Sequence, residues 1–140
     1  MGKPDFSRLP PHIDVLCLCH GITKIKECGD NPDSYQVNVL STIDLFKYYP
    51  YTIPVYLGTT AENTTYGQQK AEVEQYIRAN YEKYLILKLP KVYSEEKPSD
   101  VSPKVHVVEV VETLAHLIEG ENYGDFNIFE YKNTTSSIRA

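Results

Sequence analysis

The chain has 140 residues, 41% of them hydrophobic, and a formal net charge of -5 at pH 7. That length suits one domain and a real core, and it excludes a disordered polar chain. The acidic balance without a basic stripe argues against a nucleic-acid partner, and no apolar run nears the roughly 20 residues of a membrane helix.

Residues 1–12 read as an N-terminal extension. They contain no apolar signal-peptide core, so a cytoplasmic location is expected. The run Ile13-Asp14-Val15-Leu16-Cys17-Leu18-Cys19 predicts a first strand, buried on both faces. It ends at His20-Gly21. Cys17, Cys19 and Cys28 are an odd number, which fits reduced thiols better than a disulfide framework. Their spacing is too tight for structural zinc, so no metal is expected.

Asn31-Pro32-Asp33 opens a helix, with Asp30 or Asn31 as cap and proline at the first helical position. Tyr35, Val39, Ile43 and Phe46 recur at helical spacing and should face the core. Asparagine is a poor helix-interior residue, so Asn38 stands out, although a bond to a neighbouring turn would also explain it. Thr52 to Leu57 reads as a second strand, left through Gly58-Thr59-Thr60. A second helix runs from Tyr66 to Asn80 with Thr64 or Thr65 as cap and Ala71, Val73, Tyr76 and Ile77 on its apolar side. Tyr84 to Leu89 is a third strand, stopped by Pro90. Tyr93 to Pro103 reads as an exposed loop. Val105 to Val108 is a short strand or the approach to a helix over Glu109 to Glu119, with Val110, Val111, Leu114, Leu117 and Ile118 inward and Gly120 as stop. Phe126 to Tyr131 is a final strand, and 132–140 a frayed tail. Strands alternating with helices over 13–131 predict an α/β domain with a parallel sheet.

Tyr66-Gly67-Gln68-Gln69-Lys70 carries the chemistry. Residues at i and i+4 share a helix face. An ammonium beside a phenol favours the phenolate, so such a tyrosine can exchange a proton with a carbonyl or alcohol oxygen. By itself the pair also fits a solvated helix face. Thr59 and Thr60 leave a strand at the edge where open parallel sheets bind ligands; they also suit a local backbone cap.

Five segments in order resemble extended short-chain dehydrogenases/reductases, especially the dTDP-4-dehydrorhamnose reductase and nucleotide-sugar epimerase branch. They are Asp14 to Thr23, Asn31-Pro32 with Val37 to Ile43, Val55 to Ala61, Tyr66 to Lys70, and Tyr84 to Tyr93; Val105 to Val111 is similar to a later segment of the family. The resemblance implies a partial Rossmann-like fold, the C-terminal half of that family's domain. It makes Tyr66 the proton donor, Lys70 its tuner, Thr60 (then Thr59) the residue orienting the substrate oxygen, and Asn38 the support of a water relay. It puts Gly21, Ile22, Thr23, Lys70 and Pro90 beside NAD or NADP, and Thr59, Lys91 and Tyr93 beside a nucleotide-linked sugar.

The sequence departs from the family in three ways. No Gly-x-Gly-x-x-Gly occurs, so dinucleotide affinity is expected to be impaired. The Thr60–Tyr66 connection is short, and so is the stretch from Tyr93 to Val105. Three functions follow: a reductase or epimerase, a non-catalytic sugar-nucleotide-binding or regulatory subunit, or a reductase whose cofactor half is on another chain. The last two imply a homo-oligomer or a partner chain.

Overall fold

The computed structural model describes residues 9–18, 29, 31–61 and 63–131. Four parallel strands form the main sheet: β1 (Val15–Leu18), β2 (Ile53–Thr59), β3 (Leu85–Leu89) and β6 (Gly124–Asn127), in the order β1-β2-β3-β6. Two further short strands, β4 (Lys91–Tyr93) and β5 (Lys104–His106), pair in parallel as a separate ribbon. The helices are a π-helical turn (Gln36–Leu40), α1 (Ser41–Tyr48), α2 (Thr65–Asn80) and α3 (Val107–Glu119). None of them is long and apolar enough to cross a membrane.

Period-two alternation sends neighbouring strand residues to opposite faces. Leu18, Tyr56 and Ile86 point to one side and pack with Val39, Phe46, Val73, Ile77 and Tyr81. Val55, Leu85, Leu87 and Leu89 point to the other and pack with Val105, Val110, Leu117 and Ile128. The result is a three-layer α/β/α arrangement of the Rossmann-like kind. Each fully buried large apolar side chain, such as Phe46 or Ile77, contributes about 1.5–3 kcal/mol. Pro54 sits in β2 without losing a ladder bond. The Ile53 N–H donates to Asp14 O on the β1 side, so the proline nitrogen faces β3, where pairing begins only at Val55.

Several sequence expectations need correction. The first strand is not buried on both faces: Val15 is 37% exposed, and Cys17 is also exposed. The α1–α2 layer covers Leu16 and Leu18, whereas the α3 side is filled mainly over β2 and β3. Tyr35 does not face the core; it lies outside and donates to Glu72 Oε2 at 2.7 Å. A π-turn holds one more residue than an α-turn, so the stripe beginning at Val39 is out of phase with Tyr35. Val111 is 60% exposed, one residue and about 100° round the helix from Val110. Tyr93 belongs to β4 rather than the loop, α3 starts two residues early, and β6 stops at Asn127 before a helical turn. Gly120 does end α3, but with φ -81; the positive φ falls on Glu121. A Cβ at Gly120 would meet the end of the exposed Asn122 side chain, which can swing aside, and would lie 3.2 Å from His116 O, so the position favours glycine through a tight backbone approach and not through handedness. Asp30 and the tail lie outside the described residues, while Asn31 Oδ1 accepts from the Asp33 N–H.

Candidate active site

The β2–α2 junction builds the site. Thr60 N–H donates to Leu89 O at 3.1 Å, extending the contact of the two strands past the last residue of β2. Thr59 Oγ1 accepts from Ala61 N–H at 3.1 Å, and Thr64 Oγ1 donates to Ala61 O at 2.8 Å. Thr64 also accepts from Gly67 N–H at 3.0 Å, which makes it the N-cap of α2. Two threonines thus pin the short connection from both sides. It delivers Tyr66 into the first turn of α2, at the edge where the parallel strands finish.

Lys70 follows one turn later. Its ammonium donates to Leu57 O at 2.8 Å, lies 4.5 Å from the centre of the Tyr56 ring, and lies 5.5 Å from that of Tyr66. Both rings are within reach of a cation–π attraction. Tyr56 is buried, and burial pushes its phenol far above the usual tyrosine range, with Tyr66 and then Glu74 adding to the shift. Tyr56 is therefore a neutral ring beneath a cation.

Asn38 reaches the same helix from the π-helical turn. Its Nδ2 donates to Gln69 Oε1 at 2.7 Å, and Gln69 Nε2 donates to Ser34 Oγ at 2.9 Å. All three side chains are buried. Asn38 is thereby anchored one residue from Lys70. A single unusual turn and a buried polar chain together explain the asparagine that helix propensity disfavours.

A cleft of about 180 Å³ opens along the flank of α2, lined by Thr59, Gly67, Ala71, Glu74, Gln75, Arg78 and Lys88. Burial raises the Glu74 carboxyl; Lys88 and then Arg78 pull it back only in part. Arg78 donates to Glu74 at 3.2 Å and to Asp125, which also accepts from Tyr84 OH at 2.8 Å. These contacts join α2 to β6.

The structure brings Tyr66, Lys70 and Asn38 to one stretch of α2, with Thr59 and Thr60 at the adjoining strand end. Pro90 sits just past β3. Lys91 and Tyr93 belong to the β4–β5 ribbon, where Lys91 Nζ lies 3.5 Å from the Asp100 carboxylate and Tyr93 meets the His106 ring edge-on. Gly21, Ile22 and Thr23 lie outside the described residues, as do Cys19, His20 and Cys28. Among the described residues no three His, Cys, Asp or Glu side chains gather as a metal site. Sequence reasoning missed Tyr56, Gln69 and Glu74. The four-residue spacing of Tyr66, Lys70, Glu74 and Arg78 signalled one continuous stripe; nothing local links Asn38 to a glutamine 31 residues away.

No family model and no curated protein matches the sequence. Solved structures do. The chain is 18% identical to a dTDP-4-dehydrorhamnose reductase from Clostridium acetobutylicum, with a TM-score of 0.67 over 81% of this chain and 55% of that one. RMD from Pseudomonas aeruginosa, complexed with NADPH, matches at 15% identity and a TM-score of 0.69 over 85% of this chain and 61% of that one. An ADP-L-glycero-D-manno-heptose-6-epimerase from Helicobacter pylori matches at 11% and 0.62 over 83% of this chain and 53% of that one. The chain thus has a short-chain dehydrogenase/reductase type of fold and spans between about half and three-fifths of the structures it matches.

Proposed function

We propose that this chain carries the proton-transfer part of an NAD(P)-dependent reductase or epimerase site for a nucleotide-linked sugar. The observation that carries the reading is the Lys70 ammonium 5.5 Å from the Tyr66 ring, on the first turns of a helix at the C-terminal edge of a parallel sheet. The matched structures support it, since they include an NADPH complex and sugar-nucleotide reductases and epimerases by name.

A phenol ring and an ammonium 5.5 Å apart, with two threonines at the end of the neighbouring strand, suit the reactive end of a nicotinamide dinucleotide. The described residues offer no glycine-rich turn to a pyrophosphate, and the sequence contains none, so affinity for the free dinucleotide is impaired. When bound, the dinucleotide supplies or accepts the hydride. Tyr66 gives its proton to the substrate oxygen or takes one from it. Lys70 favours the phenolate that this leaves. Thr60, with Thr59 beside it, orients that oxygen. Asn38, fixed by Gln69, supports the route by which Tyr66 regains its proton. Pro90 borders the cofactor, and Lys91 and Tyr93 the sugar nucleotide.

A calorimetric titration with NADPH and NADH tests the reading. Weak saturable heat for either, reduced in Lys70→Met, is expected; no heat at millimolar concentration ends it.

A second reading, a non-catalytic subunit working with a partner chain or a second copy, draws on exposed Val15, Val107, Val108 and Val111. Apolar surface of this kind favours association. It predicts a stable oligomer or complex in sedimentation and no turnover.

A further inference from the structure

We infer that Tyr56 is the positioning residue for the Lys70 ammonium. Of the two rings near that cation, the Tyr56 ring is closer, at 4.5 Å against 5.5 Å. It is also the better immobilised. Tyr56 lies inside β2, paired with Leu18 on one side and Ile86 on the other, and it is 4% exposed. Tyr66 sits in the first turn of a helix and is only half-buried. An aromatic face attracts a cation through its quadrupole, and more strongly where water is excluded. The adjoining main chain adds the second hold, since the Lys70 ammonium donates to Leu57 O at 2.8 Å.

Two consecutive strand residues therefore grip one ammonium, Tyr56 by its ring and Leu57 by its carbonyl. Strand residues are fixed by ladder bonds on both sides, so this grip sets where Lys70 stands before any ligand arrives. Tyr66 approaches an already placed charge. The clamp is a property of this geometry alone; its value to proton transfer rests on the function proposed above.

Ring-fluorinated phenylalanines test it, because fluorine drains the ring face of negative charge with little change of shape. Position 56 is changed by Tyr56→Phe and then filled with 4-fluoro-, 3,5-difluoro- and 3,4,5-trifluorophenylalanine. The rate of acetylation of Lys70 by acetic anhydride is read by peptide mass spectrometry against exposed Lys97 in the same molecule. Tyr56→Phe should leave the ratio near wild type. Each added fluorine should raise it, to about threefold to tenfold at the third, as the ammonium loses its stabilising face. A flat series overturns the inference, and so does a single jump at Tyr56→Phe with no further trend, which would assign the effect to the hydroxyl. Thermal melts of every variant check the fold. Failure of NADPH to bind while the trend holds would sink the proposed function and leave the clamp standing.

Discussion

Asn38 Nδ2 donates to Gln69 Oε1 at 2.7 Å across 31 residues of sequence, and this bond joins the π-helical turn to the helix bearing Tyr66 and Lys70. Gln69 passes the chain on to Ser34. Buried amides are costly unless partnered, so the network fixes how the turn docks on α2.

Removing one member strands the other. Asn38→Leu and Gln69→Leu should each lower stability by about 1–3 kcal/mol in urea unfolding. The double variant should lose clearly less than the sum of the two, because neither amide of that bond is left facing an apolar replacement, while Ser34 loses its Gln69 donor equally in Gln69→Leu and in the double variant. Additive losses would show that the bond does not couple the elements.

Thr64 caps α2 and closes the strand–helix connection with the same oxygen. Thr64→Ala should cost about 1 kcal/mol, and Thr64→Ser much less. Hydrogen exchange of the Gly67 amide should rise in the first variant and not in the second.

Arg78 bridges the carboxylates of Glu74 and Asp125. Glu74 is nearly enclosed, whereas Arg78 is 37% exposed. Arg78→Met should therefore cost about 1–3 kcal/mol, less than the ~3–5 kcal/mol of a fully buried pair that loses one partner. Loss of amide protection in β6 beyond that in β3 would locate the damage.

The two carboxyls should pull the pH profile in opposite directions. Burial lifts Glu74 above its unfolded value despite Lys88 and Arg78. The folded state holds that proton more tightly, so stability falls as pH rises above the usual glutamate value of about 4.3, until the folded-state group ionises. Glu74→Gln should lack this fall. Asp125 is also pushed up by burial, but the Arg78 and Tyr84 hydrogen bonds outweigh that and lower it. Its contribution is present above the usual aspartate value of about 3.9 and is lost as pH falls through the depressed folded value. The gap between wild type and Asp125→Asn should close in that acid window. Urea unfolding from acid to neutral pH measures both.

The order of strands and helices was legible because buried parallel strands read as short apolar runs bounded by glycine and proline, and because Thr64 and Gly120 mark helix ends. Tyr66 and Lys70 were legible because four-residue spacing fixes a shared helix face. The outward turn of Tyr35 was not, since a π-turn shifts the apolar phase and leaves no mark in composition. Nor was the exposure of Val15, because an apolar residue reads alike whether or not a neighbour covers it. The grip of Tyr56 on Lys70 and of Gln69 on Asn38 depends on tertiary contact, which periodicity does not encode.

The most direct measurement is NADPH consumption in the presence of a nucleotide-linked keto sugar, such as dTDP-4-dehydrorhamnose, compared between wild type and Tyr66→Phe. Substrate-dependent oxidation is expected, falling about 10²- to 10⁴-fold when the phenolic hydroxyl is removed, with the thermal melt unchanged. Absence of substrate-dependent oxidation in the wild type, or turnover untouched by the loss of that hydroxyl, would contradict the proposed function.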